Sequence, residues 1–135
     1  MNHLANYISC IQVGIKCHKT EVCFVRTTRF LRNFIKAIYS SHLIYSYKFF
    51  KNGNNIHGEV SSTIRFFSID FLKNVKILST PGRKMYVSSY KLKNLIYMNK
   101  KKVFIISTSH TGIISGTEAI KNNIGGELIC EFLFK

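Results

Sequence analysis

Apolar residues recur at two different periods along this chain, and the changes of period mark out its elements. Leu4, Ile8, Ile11 and Ile15 stand three or four residues apart after Asn2, a good helix N-cap. The spacing predicts a helix over 3–13, with Gly14 as its stop. A β-branched and aromatic run over 21–25 predicts a strand. Thr27 and Thr28 suit the cap of a second helix over 28–41. There Phe30, Leu31, Phe34, Ile35 and Ile38 form an apolar stripe opposite Arg29, Arg32 and Lys36. The stripe is expected in the core, while the basic face fits phosphate contact and plain solvation equally well. Strands are expected over 43–50 and 63–69, joined by the turn Asn52-Gly53-Asn54-Asn55.

That first half reads α-β-α-β-β, and the second half changes character. Short strands are expected over 75–78 and 85–88, separated by the Pro81-Gly82 turn. A short helix over 90–98 carries Leu92, Leu95 and Ile96, and a strand over 103–107 follows three lysines. A loop rich in Ser, Thr and Gly leads to a helix near 116–123, and Gly125-Gly126 punctuates before a last strand over 127–134. The expected fold is α+β, in two small αβ halves: residues 1–70, and a mostly β half, 71–135, with short helices.

Charge decides the class of partner. Twenty Lys and Arg face six Asp and Glu, a formal +14, while 46% hydrophobic residues supply a real core. No acid lies between Asp70 and Glu118, where Lys73, Lys76, Arg83, Lys84, Lys91, Lys93, Lys100, Lys101 and Lys102 are found. Such segregation fits an extended anion-facing surface, nucleic acid before membrane. Cys10, Cys17, Cys23 and Cys130 show no C-x-x-C or zinc-ligand spacing and read as small buried hydrophobes in a reducing compartment. No metal, cofactor or small-molecule substrate is implied. No stretch is apolar for 18 residues, so no membrane span is expected, and neither a secretory nor a transit-peptide pattern opens the chain. The abundance of Ile, Lys, Asn, Phe and Tyr matches A- and T-rich codons, as in an organellar genome.

Four stretches then resemble a known family in order and spacing. They are Ser79-Thr80-Pro81-Gly82-Arg83-Lys84-Met85-Tyr86-Val87, Ile105-Ile106-Ser107-Thr108-Ser109, Thr117-Glu118-Ala119, and Ile124-Gly125-Gly126-Glu127-Leu128-Ile129-Cys130. They are similar to motifs of small-subunit ribosomal protein eight of bacteria and organelles, and the likeness is specific across about 77–134. Three places depart from the pattern: His110-Thr111-Gly112 replaces a basic residue and Gly, Ser115-Gly116 replaces Thr-Asp, and Ile120 replaces a basic residue.

The resemblance implies a structural constituent of the small ribosomal subunit, a primary binder of the central domain of its rRNA, with neighbouring small-subunit proteins as partners. RNA helices hide base edges in a deep major groove, so proteins use the minor groove, bulged bases and 2′-hydroxyls. Hydroxyls that both donate and accept suit that surface, which points to Ser107, Thr108 and Ser109. Gly125 and Gly126 permit close backbone approach. Glu127 can accept from a base amine or hold the Ser-Thr-Ser loop, Tyr86 can stack, and Arg83 and Lys84 can neutralise phosphate. Taken alone, these residues read as a strand-ending turn, a helix stop, a surface charge and a core-edge aromatic.

Catalysis is not expected. Ser109 and His110 are adjacent, so on a strand they point to opposite faces, and no G-x-x-x-x-G-K motif is present. Two other readings remain: a free RNA-binding regulator of its own message, and a membrane-surface protein using the 28–41 helix. The expected location is a mitochondrial ribosome, with the plastid as the alternative.

Overall fold

A computed structural model describes residues 2–19, 21–24, 28–51, 60–65, 72–80, 82–109 and 111–135. Its contacts fall into two compact units, 2–70 and 71–135. The elements run α1 (Asn2–Lys16), β1 (Glu21–Phe24), α2 (Arg29–Ser40), β2 (Ser46–Lys51), β3 (Val60–Arg65), β4 (Leu72–Ile77), β5 (Tyr86–Val87), α3 (Ser89–Met98), β6 (Lys102–Thr108), β7 (Gly112–Ser115), α4 (Gly116–Lys121) and β8 (Gly126–Phe134). This is the α+β architecture expected, with the α-β-α-β-β order in the first unit.

In the N-terminal unit the antiparallel sheet runs β1-β3-β2. Leu4, Tyr7, Ile8 and Ile11 of α1 are buried, as are Leu31, Phe34, Ile35, Ala37 and Ile38 of α2. Tyr7 meets Phe34 edge-on at 5.9 Å between ring centroids, a favoured aromatic geometry. Phe30 departs from its expected place in the core and lies exposed at the margin of the stripe. Thr28 caps α2, its hydroxyl accepting from the Leu31 N–H at 3.3 Å.

Gly14 does not stop α1. It lies against Val22, leaving room for β1, and the helix runs on to Lys16. His18 ends it at φ 55, with the Lys19 N–H reaching the Gly14 carbonyl and the His18 N–H the Ile15 carbonyl. His42 and Asn123, at φ 60 and 54, end α2 and α4 by the same pair of reversed bonds. Left-handed residues other than glycine therefore terminate three of the four described helices, α1, α2 and α4, which no search for glycine stops would find.

The C-terminal unit is built on β8. The sheet runs β4-β8-β6-β7, and β5 pairs with β8 as well. β4 takes the far end of β8 (Ile77 opposite Cys130) and β5 its start (Val87 opposite Gly126). Leu92, Phe104, Ile106, Ile114, Ala119 and Leu128 form the core beneath α3 and α4, with Val87, Leu95 and Ile96 packed against it. β7 falls where a loop was expected. Its Gly-Ile-Ile-Ser sequence is too short and small-residue-rich to read as a strand, and pairing with 105–108 of β6 makes it one. The Asn52-Gly53-Asn54-Asn55 turn, Pro81 and His110 lie outside the described residues.

Of the cysteines, only Cys130 is the buried hydrophobe expected; Cys10, Cys17 and Cys23 are exposed, and all four are free. Burial, and secondarily the charge of Glu131, hold the Cys130 thiol far above the ordinary thiol range. Thiol labelling of the native protein near neutral pH is expected to modify Cys10, Cys17 and Cys23 rapidly and Cys130 only after unfolding. Mass spectrometry of the labelled peptides checks this order.

Candidate RNA-binding site

The sheet register sorts the predicted residues. Ser107 of β6 lies opposite Glu127 of β8, and Glu127 lies opposite Tyr86 of β5. Directly opposed residues put their side chains on one face, so Ser107, Glu127 and Tyr86 form a single row across three strands. Val87, next to Tyr86, packs into the core cluster, which places the row on the other face of the sheet. Tyr86 is 68% exposed, not the core-edge aromatic that it resembles when taken alone.

Two glycines hold the row together. A Cβ on Gly126 would collide with the Ser107 carbonyl oxygen and press on the Thr108 Cγ2 at 3.3 Å. A Cβ on Gly125 would lie 2.6 Å from the Val87 carbonyl oxygen and 3.0 Å from the Ser88 Cα. Their role is close backbone approach. The stop of α4 is Asn123 instead, so the reading of the pair as a helix stop is corrected.

Ser107 and Thr108 are the last residues of β6, and only Ser109 stands in the turn. Thr108 is 8% exposed. Its hydroxyl shares a bond with the Thr111 hydroxyl at 2.6 Å, donates to the Gly112 carbonyl at 2.9 Å and receives the Thr111 N–H at 3.1 Å. The turn thus uses it from three sides. Ser109 is exposed, Ser107 is half-buried, and among the described residues no hydrogen bond engages either hydroxyl. Gly112 closes the hairpin at φ 75.

Arg83 and Lys84 are exposed on the turn that leads into β5. The Thr80 and Arg83 backbones exchange two hydrogen bonds there, at 3.0 and 3.1 Å. Ser79, not singled out from the sequence, anchors this turn. It is buried, donates to the Leu128 carbonyl at 2.5 Å and receives the Met85 N–H at 3.0 Å. Its signal was its place between an apolar strand and a Pro-Gly turn, where a small hydroxyl can satisfy two backbone groups. Among the described residues no group of three or more His, Cys, Asp or Glu is placed to hold a metal ion, and no helix is long and apolar enough to cross a membrane.

These features define an α+β protein of formal charge +14 that presents one hydroxyl, one carboxylate and one open ring on a sheet face, with a second hydroxyl in the adjoining turn. The chain belongs to the Ribosomal protein S8 family, whose model matches residues 2–133. It is similar to small ribosomal subunit protein uS8 of Orientia tsutsugamushi (strain Boryong), 45% identical over 60 residues. That match spans 44% of this chain and 43% of the relative, under half of its length. The uS8 of Cytophaga hutchinsonii is 28% identical over 133 residues, 96% of this chain and 98% of its own. The protein uS8m of Acanthamoeba castellanii is 29% identical over 132 residues, 96% and 97% of the two chains.

Gly126→Ala is expected to destabilise the C-terminal unit by about 1–3 kcal/mol, because a fixed backbone oxygen occupies the space of the new methyl. Ser79→Ala, which leaves one buried carbonyl and one N–H unmatched, should cost about 1–3 kcal/mol as well. Denaturant melts of the two variants against the parent measure both.

Proposed function

We infer that the chain is a structural constituent of the small ribosomal subunit that binds its rRNA, with neighbouring subunit proteins as further partners. Family membership over 2–133 supports the role, and the Ser107–Glu127–Tyr86 row is the structural feature that best fits it. The finer reading is a primary binder of the central domain of the small-subunit rRNA. Ser107 and Ser109 bond base edges and 2′-hydroxyls, Tyr86 stacks on a sugar or base, and Glu127 accepts from a base amine. Arg83 and Lys84 hold phosphate. Thr108, assigned an RNA contact alongside its neighbours, acts instead through the turn that presents Ser109. No catalytic, membrane or small-molecule role is proposed. The A- and T-rich residue bias and the likeness to the Acanthamoeba uS8m favour a mitochondrial ribosome, with the plastid as the alternative.

The double variant Ser107→Ala/Ser109→Ala is expected to weaken binding to a central-domain rRNA stem by about 1–3 kcal/mol while the melting temperature holds. Thr108→Ala should lower both together, because the turn loses its organising hydroxyl. Filter binding alongside thermal melts separates the two effects, and unchanged affinity in the double-serine variant overturns the site. Co-sedimentation with small subunits at moderate salt tests the role itself. A protein found only in light fractions is the free regulator.

A further inference from the structure

The outer face of α3 is unusual for a short solvent-facing helix. Leu92 is its buried anchor, with Leu95 and Ile96 packed beside it. On the opposite side Tyr90 and Tyr97 are 75% and 78% exposed. They are seven positions apart, so they stand almost in line, about 10 Å apart along the axis. That is about three stacked-base steps of about 3.4 Å. Lys93 and Asn94 lie between them on the same face, and both are exposed.

The charge around the rings has one sign. Lys91, Lys93, Lys100 and Lys101 are exposed in and just after the helix, and no acid occurs from 71 to 117. The Lys100 Nζ stands 6.0 Å from the centroid of the Tyr97 ring. Open rings interleaved with cations suit unpaired nucleic acid, in which any base offers a flat face and the backbone needs neutralising. A helix-in-groove protein contact fits less well. It would need apolar anchors at the intervening i+3 and i+4 positions, which here are Lys93 and Asn94.

We propose that the Tyr90–Tyr97 face of α3 is a second RNA site, a stacking platform for an unpaired strand. It is distinct from the Ser107–Glu127–Tyr86 row and rests on the same RNA-binding reading of this unit. Two bases three steps apart stack on Tyr90 and Tyr97, while Lys91, Lys93, Lys100 and Lys101 face the phosphates between and beyond them. The family motifs do not include these residues, so the platform would add a contact to the shared site.

The test uses the full chain and a short oligoadenylate, with a paired rRNA stem in parallel. Tyr90→Ala/Tyr97→Ala is expected to lose at least about tenfold in oligoadenylate affinity and to leave stem affinity and melting temperature unchanged. Tyr90→Phe/Tyr97→Phe, which keeps both rings, should bind as the parent does. The chain has no Trp, so a Tyr97→Trp variant reports directly: stacking quenches its emission as oligoadenylate is added. Unchanged oligoadenylate affinity in the double-alanine variant overturns the proposal, as does an equal loss in the double-phenylalanine variant. An indole that RNA leaves unquenched, but that shifts to the blue in assembled subunits, also overturns it and assigns the face to a protein neighbour. Loss of stem binding in the serine variants tests the other site, so the two readings fail separately.

Discussion

The C-terminal unit depends on how closely the start of β8 can approach its neighbours. Neighbouring strands ordinarily tolerate side chains at every position, because these point out of the sheet. Here the register between β6 and β8 shifts: Ile105 pairs with Cys130 but Ile106 with Leu128, leaving Ile129 as an extra residue. Such a bulge bends and twists the strand locally. The Ile129 carbonyl turns to the other edge and receives the Leu78 N–H at 2.9 Å, where β4 has ended and β5 has not begun. The Ser79 hydroxyl takes the Leu128 carbonyl beside it, and the Leu128 N–H reaches the Met85 carbonyl at 2.8 Å. Beyond the bulge, β8 is pressed between β6 and β5, and an added Cβ would meet backbone at Gly126 and at Gly125 just before it. A side chain at either would push apart the strands that align Ser107, Glu127 and Tyr86.

The same packing divides four hydroxyls of similar chemistry into two kinds. Ser79 and Thr108 are buried and spend their bonding capacity on backbone groups and, for Thr108, on the Thr111 hydroxyl. A buried hydroxyl must be satisfied, and once it is, it has little left to offer a ligand. Ser107 and Ser109 flank Thr108 in sequence yet fall on the other side of that division. Strand alternation turns Ser107 to the face opposite Thr108, and the end of β6 releases Ser109 into the turn.

Much of the fold was legible because it rests on local periodicity. Helices α1 and α2 and the last strand announce themselves through apolar spacing, and the pairing of Thr28 with the Leu31 N–H is ordinary capping. What escaped depends on contacts distant in sequence. The Gly-Ile-Ile-Ser stretch is a strand only because 105–108 lie beside it. His18, His42 and Asn123 take left-handed conformations that their identity only weakly favours, since the chain must leave each helix at a set angle. The exposure of Cys10, Cys17 and Cys23 follows from their positions on the outward faces of α1 and β1 and just past the end of α1, against the general tendency of cysteine to be buried. At the candidate site, motif likeness singled out residues of β5, β6 and β8 but could not separate a hydroxyl that builds the turn from one that the turn presents.

Charge alone sets a different limit. A formal +14 favours any polyanion, and its long-range attraction does not distinguish one RNA from another. Not every lysine is free to meet an anion: Lys102 stands 3.5 Å from Glu131, both side chains partly buried, so this lysine is tied to the sheet. Glu127 then takes on particular meaning. A carboxylate between Ser107 and Tyr86 repels phosphate from the centre of the row, while Arg83 and Lys84, exposed on the turn into β5, attract it. On the proposed RNA-binding reading, an RNA satisfies both only by turning bases or sugars, not its backbone, toward the row. Base amines donate to a carboxylate, whereas phosphate oxygens cannot. On the same proposed reading, selectivity on this surface comes from one acid in a strongly basic chain, with two hydroxyls and a ring near it, and the lysines supply attraction without discrimination.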